Sequence, residues 1–425
     1  MKLKSYRMAP LLAAVLLVAI FFPSCRRDQR GAAAVEIILV NNKVEIDEAL
    51  RAFASIYERE SGVRVTIQSF GGETPYAPAI AAMFQAGIEP DIFVIEGFAG
   101  YDEARRAGRL TDLSNEPWVQ DTDLYYVSPT SGAIVGFPVA IEGWGLGYNR
   151  EILRRAGVDP GTMTSIDGMR AAFERIDSMR AELGIDAVVS MAAGPGMTWV
   201  TGLHAVNAYL TLGLPYYDSA RYINMLNRGE VDARRLAYFA EYMSLLFRHS
   251  IPATLLVGGY DQQLGDFALG RTAFIHQGNW TDPWFAGNNI GFEMGYVPHA
   301  FLPETTDGIF IGAPSFYVVN ARGNAEEAKR FLRFMAESPA GHDYMVNRAG
   351  MVAAFRSVRL QPPGQFSRAV QEWAEAGRMF GWQQNEMPDG FGMNVLGPIF
   401  AQLAAGNIDS DGFVRLFTEA VATLR

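Results

Sequence analysis

FPVAIEGWGLGYNR, residues 137–150, sets two apolar runs around a single acid. Phe137–Ile141 reads as a strand leaving one body of the protein, and Trp144–Asn149 as a strand entering another. Glu142 and Gly143 lie at the joint. Glycine reaches backbone angles closed to other residues, which suits a bend or a close approach by a ligand. A carboxylate buried without a partner is costly, so Glu142 belongs in water or in a polar site. The stretch is therefore either a solvated turn or a hinge whose acid faces a cleft.

The segments before it read as alternating strands and helices. Residues 35–40 (VEIILV) form a first strand ending at Asn41-Asn42-Lys43. Ile46, Leu50, Phe53 and Tyr57 share one helical face, and Gly62 stops that helix. Val63, Val65 and Ile67 alternate as a second strand, a Gly/Pro loop carries Glu73, residues 79–86 are helical, and DIFVI (91–95) is a third strand ending at Glu96. This order predicts βαβ units in a mostly parallel sheet. Ligands bind beyond the carboxyl ends of such strands, where Asn42, Lys43, Glu96 and Glu142 all fall.

Further on, 150–190 reads as helices, followed by a loop exposing Trp199 and helices at 200–213 and 232–247. A strand at 273–275 runs into His276-Gln277-Gly278-Asn279-Trp280. Residues 290–297 and 310–320 read as strands, the second long and apolar. Helices are expected at 325–337, 341–348 and 366–377, then an irregular loop from Trp382 to Gly392, then helices near 395–404 and 409–424.

At 425 residues the chain exceeds one ordinary core, so two lobes are expected. With 49% hydrophobic and 19% charged residues it is globular rather than disordered. A formal net charge of −10 argues against a nucleic-acid partner, because phosphates demand basic patches. Cys25 is the one cysteine, so no internal disulfide can form. The five histidines are scattered without ligand spacing, and neither a nucleophile elbow nor a phosphate loop is present. No metal and no cofactor are expected.

The first residues read as a targeting segment: Lys2, Lys4 and Arg7, then an apolar run over 11–22 that is short for a membrane span. Residues 1–25 are expected to be a signal peptide and 26–34 a tether. Cys25 resembles the lipidation site of bacterial lipoproteins, although Phe22 and Pro23 depart from that motif. The alternative is cleavage nearby with no lipid.

Nearly the whole mature chain resembles the extracellular solute-binding proteins of sugar ABC transporters, the maltose/maltodextrin group in particular. PDIF (90–93) with Gly100-Tyr101 and GRLTDL (108–113), the 137–150 stretch, Gly194-Pro195 with Thr198-Trp199, Thr272–Ile275 with Gly278–Trp280, and Phe310–Gly312 carry the resemblance in order. It implies an α/β, two-lobed periplasmic-binding-protein fold with three crossovers and a central cleft. Lobe one would comprise 35–139 plus 313–357 and lobe two 142–310 plus 364–425, with hinges near 138–143, 310–313 and 357–364. It implies ligand contacts from Asn42, Lys43, Glu73, Glu96 and Glu142, and from Trp199, Asn279 and Trp280; where the family's last stacking tryptophan is replaced by Met393, either Trp382 or Phe391 substitutes or that subsite is missing. It further implies a sugar or oligosaccharide ligand, permease subunits with an ATPase as partners, and a monomer exported and lipid-anchored at the cell membrane. The alternatives are the same fold holding a polyamine or other solute, or a glycoside-processing enzyme using Glu96 and Glu142 as its acid pair.

Overall fold

The computed structural model describes residues 35–71 and 76–425. The signal segment 1–25, the tether 26–34, Cys25 and Glu73 lie outside the described residues.

In chain order the strands are β1 (Glu36–Asn41), β2 (Arg64–Ser69), β3 (Ile92–Ile95), β4 (Tyr126–Val127), β5 (Ile134–Pro138) and β6 (Glu142–Asn149). They continue as β7 (Ala187–Ser190), β8 (Thr272–Gly278), β9 (Met294–Val297), β10 (Ile309–Gly312), β11 (Phe316–Val319) and β12 (Met379–Phe380). Two sheets result. The first runs β2-β1-β3-β11-β5-β4, and the second runs β12-β10-β6-β8-β7 with β9 also paired to β6. Each anchors an α/β lobe with helices on both faces.

Period-two alternation explains the first sheet. Ile37 and Leu39 of β1 enter one apolar layer while Val40 enters the opposite one. The first layer packs under the helices Asp47–Ser61 and Ala325–Glu337. The second of these puts Ala328, Phe331, Leu332 and Met335 inward, at helical spacing. Asn324 starts it by accepting the Glu327 N–H. Burying one such side chain contributes about 1.5–3 kcal/mol, so this face alone fixes the helix.

Three expectations are corrected. The sheets are not mostly parallel: β1 pairs parallel with β2 and β3, but β11 is antiparallel to β3 and β5, and β6 is antiparallel to β8, β9 and β10. The cause is the chain path. The chain leaves the first sheet from β5 into β6 and returns from β10 into β11, so the crossing strands run in opposite directions. The supposed single strand 310–320 is two strands in two sheets, broken at Ala313-Pro314-Ser315, because proline has no N–H to continue the ladder. The end of the region read as helical, Ala187–Ser190, is a fully buried strand beside β8. A third passage follows Ala349, where the Ile141 N–H donates to Val352 O at 2.8 Å.

Candidate ligand-binding site

The carboxyl ends of β1 and β3, the start of β6 and the end of β8 meet between the sheets. Asn41 sets the first of these. Its amide nitrogen donates to Lys43 O (2.6 Å) and Ser69 Oγ (3.1 Å), and its oxygen accepts from Tyr317 Oη (3.2 Å). This turns Asn42 and Lys43 into the gap. Lys43 Nζ pairs with Glu142 across the crossing, with Glu45 at 3.7 Å. Asn42 Nδ2 donates to Glu96 Oε1 at 2.6 Å, and Ser315 Oγ donates to the same oxygen at 3.0 Å. Asn42 Oδ1 is buried without a partner among the described residues.

Electrostatics follow from this packing. Burial works to lower the Lys43 pKa, but Glu142, Glu45 and Glu96 outweigh it and hold the ammonium above its usual range. Glu96 is solvent-exposed at its edge, but the strand ends packed around it desolvate its carboxyl in part. That desolvation pushes its carboxyl up against the opposing pull of Lys43 and Ser315.

Aromatic side chains form the other wall. Gly278 ends β8, and the Trp280 indole folds over it where any β-carbon would collide. Trp280 Nε1 donates to Gln277 Oε1 at 3.0 Å, and Gln277 Nε2 donates to Gln263 Oε1 at 2.9 Å, which fixes the indole edge. Ring centroids place His204 4.8 Å from Trp280, 5.2 Å from Trp199 and 5.9 Å from Trp382. Trp382 lies against Gly312, at the end of β10. Beneath this layer His204 stacks on the core residue Trp144 at 5.5 Å.

Sequence reading missed this convergence of histidines. His276 Nδ1 meets His299 Nε2 at 3.1 Å, and His299 Nδ1 meets Tyr242 Oη at 2.7 Å. Burial lowers all three histidines, His276 to about 4, so they are neutral at pH 7. They make no metal-binding group among the described residues.

Asn42, Lys43, Glu96 and Glu142 thus come together, with Trp199, Trp280 and Trp382 beside them. Asn279 lines the same space but its amide is committed: Oδ1 accepts the Gly143 N–H at 2.9 Å and Nδ2 donates to Ser367 Oγ at 3.3 Å. Its role is to clasp the crossing. Ser315, His204, Gln277 and Tyr260, which packs 6.0 Å from Trp199, were not anticipated. Ser315 alone left a trace, as a polar residue interrupting an apolar run. Around Lys43, Glu142, Trp280 and Met351 only about 30 Å³ is free. That is room for a water or two, so a solute must part these groups to enter.

A two-lobed α/β fold with polar strand ends facing an aromatic wall defines a protein that holds a small solute between its lobes. Residues 42–341 match the profile of the bacterial extracellular solute-binding proteins, and the chain belongs to that family. It is similar to the melibiose/raffinose/stachyose-binding protein MelE of Bacillus subtilis, 22% identical over 354 residues covering 81% of this chain and 80% of that protein. Among solved structures it superposes on RafE in complex with raffinose (TM-score 0.73, 18% identity, 92% of this chain and 99% of that one). A binding protein from Bacillus subtilis described in an open conformation fits equally well (TM-score 0.73, 20% identity, 93% and 98%).

Proposed function

We propose that this chain is the substrate-binding component of an ABC importer, capturing a sugar or oligosaccharide between its lobes and delivering it to membrane permease subunits. The observation that carries the ligand class is the pairing of walls. Asn42, Lys43, Glu96 and Glu142 supply charge-assisted hydrogen bonds on one side, and Trp199, Trp280 and Trp382 supply aromatic faces on the other. Hydroxyls fit the first and the C–H faces of a sugar ring fit the second. The relatives that bind melibiose, raffinose and stachyose support the same class.

The lobes are read as 35–139 plus 313–357 and 142–310 plus 364–425, moving about hinges near 138–143, 310–313 and 357–364. Cys25 is read as a lipid anchor holding an exported monomer at the membrane, on the strength of the leader's charge and apolar pattern. The site is read as binding rather than cleaving. Glu142 is paired with Lys43 and Glu96 accepts from Asn42 and Ser315, which suits holding a ligand; a reducing-end assay on oligosaccharides tests for hydrolysis.

The experiment is a titration with mono- and oligosaccharides followed by tryptophan fluorescence and melting temperature. A ligand bound only to the folded state adds about 2.7 kcal/mol of stability at a hundredfold excess over its dissociation constant. Saturable quenching with a melting shift, both lost in Trp280→Ala, is the expected result. If a polyamine acts and no sugar does, the ligand class is wrong.

A further inference from the structure

Trp199 opens a turn of unusual winding. Val200–Ala205 is a π-helical turn, closed by bonds between residues five apart, at the head of the buried helix Val206–Thr211. A second π-turn, Phe391–Leu396, heads the helix Gly397–Ala404 and packs directly against the first. Such turns are rare and gather at functional sites.

The side chains show what the first turn achieves. An α-helix advances about 100° per residue, so positions five apart point about 140° away from each other. The wider π-winding brings them nearly into line. Trp199 and His204 are five apart, and their rings meet edge to face at 5.2 Å. From there His204 reaches Trp280 and Trp382, and Trp199 reaches Tyr260. With α-winding, one of the two rings would leave the aromatic wall. The second turn obeys the same rule: Phe391 and Leu396, also five apart, are both buried, while Met393 and Val395 between them are exposed.

Glycines join the two turns. An added β-carbon on Gly202 would overlap the Gly392 carbonyl, and one on Gly392 would collide with Gly202 O and with the Leu203 and Met387 side chains. A little further along, a β-carbon on Gly397 would stand 2.8 Å from Thr198 Cβ. None of the three glycines has a positive φ, so close approach rather than backbone angle calls for glycine there.

Resting on the reading of Trp199 as part of the ligand wall, we infer that Gly202 and Gly392 are positioning residues of the binding site: their contact joins the two π-turns, keeps Val200–Ala205 wide, and so holds Trp199 and His204 on one face. Both glycines are buried and act through those two rings.

The test is fluorine NMR of the full chain labelled with 5-fluorotryptophan. Its seven tryptophans are separate reporters, and Trp199→Phe assigns the one that matters. In Gly202→Ala and Gly392→Ala, without ligand, the Trp199 resonance should move, and that of Trp118, buried in the core of the first sheet, should not. Gly196→Ala, three residues before Trp199 with open space where its β-carbon would go, should leave both in place. Gly397→Ala presses on a side chain rather than a carbonyl; it is the milder form of the same perturbation and replaces the other two if they do not fold. Calorimetric titration with raffinose should give an affinity about tenfold lower in Gly392→Ala, with no further loss when it is combined with Trp199→Ala. An unmoved Trp199 resonance in the folded glycine variants, or losses of affinity that add to that of Trp199→Ala, overturns the assignment. If raffinose does not bind the native chain, that result bears on the ligand reading alone, and the fluorine resonances decide the positioning.

Discussion

Replacing His276 by Gln should make the protein more resistant to acid relative to its own stability at neutral pH. His276 lies between His204 and His299, 1% exposed, with no carboxylate partner among the described residues. Its pKa drops from an ordinary 6.5 to about 4 when folded, through burial. A group depressed in the folded state binds more protons when unfolded. For a histidine, stability is therefore present above the unfolded value and lost as pH falls from 6.5 toward 4. Between pH of about 7 and about 4.5 the linkage relation gives a loss of about 2 kcal/mol from this one ring. His204 and His299 titrate in the same direction, but charge on one ring opposes charge on the next, so their losses do not simply add. The assay is urea unfolding of the native chain and the variant at both pH values. The variant pays a constant packing penalty at both, and its difference between them should be smaller than the native one by about 2 kcal/mol. Equal differences would refute the reasoning, because they would mean that His276 is already protonated or solvated in the folded state.

Three further outcomes are expected. Lys43→Met and Glu142→Gln should each destabilise, and the double variant should lose less than their sum by about 1–3 kcal/mol, since both side chains are 12% exposed and in contact; additivity in thermal and urea unfolding would show the pair to be uncoupled. Gly97→Ala should cost about 1–3 kcal/mol, because φ 77° with ψ −160° is open almost only to glycine. Because its β-carbon also meets Asn385, small-angle scattering should find this variant more open, and native-like scattering would count against that contact. Arg109 grips Glu89 at 2.8 and 2.9 Å and, with Asn320, holds its carboxyl down to about 2. That stabilisation, about 1 kcal/mol after solvent screening, is present above the ordinary 4.5 and lost as pH falls toward 2, so Glu89→Gln should cost it at pH 7 and progressively less in acid.

The opening βαβ units were legible because their information is local. VEIILV alternates between two apolar layers, and Ile46, Leu50, Phe53 and Tyr57 repeat at helical spacing. Ala187–Ser190 escaped because four residues cannot distinguish a buried strand from the end of a helix. The antiparallel pairing of β6 escaped because it depends on the direction in which the chain enters the second sheet, which no residue of β6 encodes. In the site, strand-end polar residues could be read from position, as Lys43 and Glu142 were. The histidines could not: 204, 276 and 299 are far apart in sequence, and each sits in an unremarkable local pattern. Asn279 carries a second task that its position did not announce: it stands beside Trp280, where a ligand contact is natural, and its amide also ties Gly143 to Ser367.

The passage between sheets has a mechanical consequence. Gly312 pairs with Glu142 on one side of it and Phe316 with Pro138 on the other, and between them the Val139 N–H reaches Ser315 O at 3.1 Å. The two segments are therefore joined as one ribbon, stitched at its midpoint by the backbone of Ser315. The hydroxyl of that same residue donates to Glu96. A ligand hydroxyl that donates to Glu96 therefore reaches a carboxylate already tied to this ribbon, so the acid proposed to detect the ligand and the segment proposed as a joint meet in one residue.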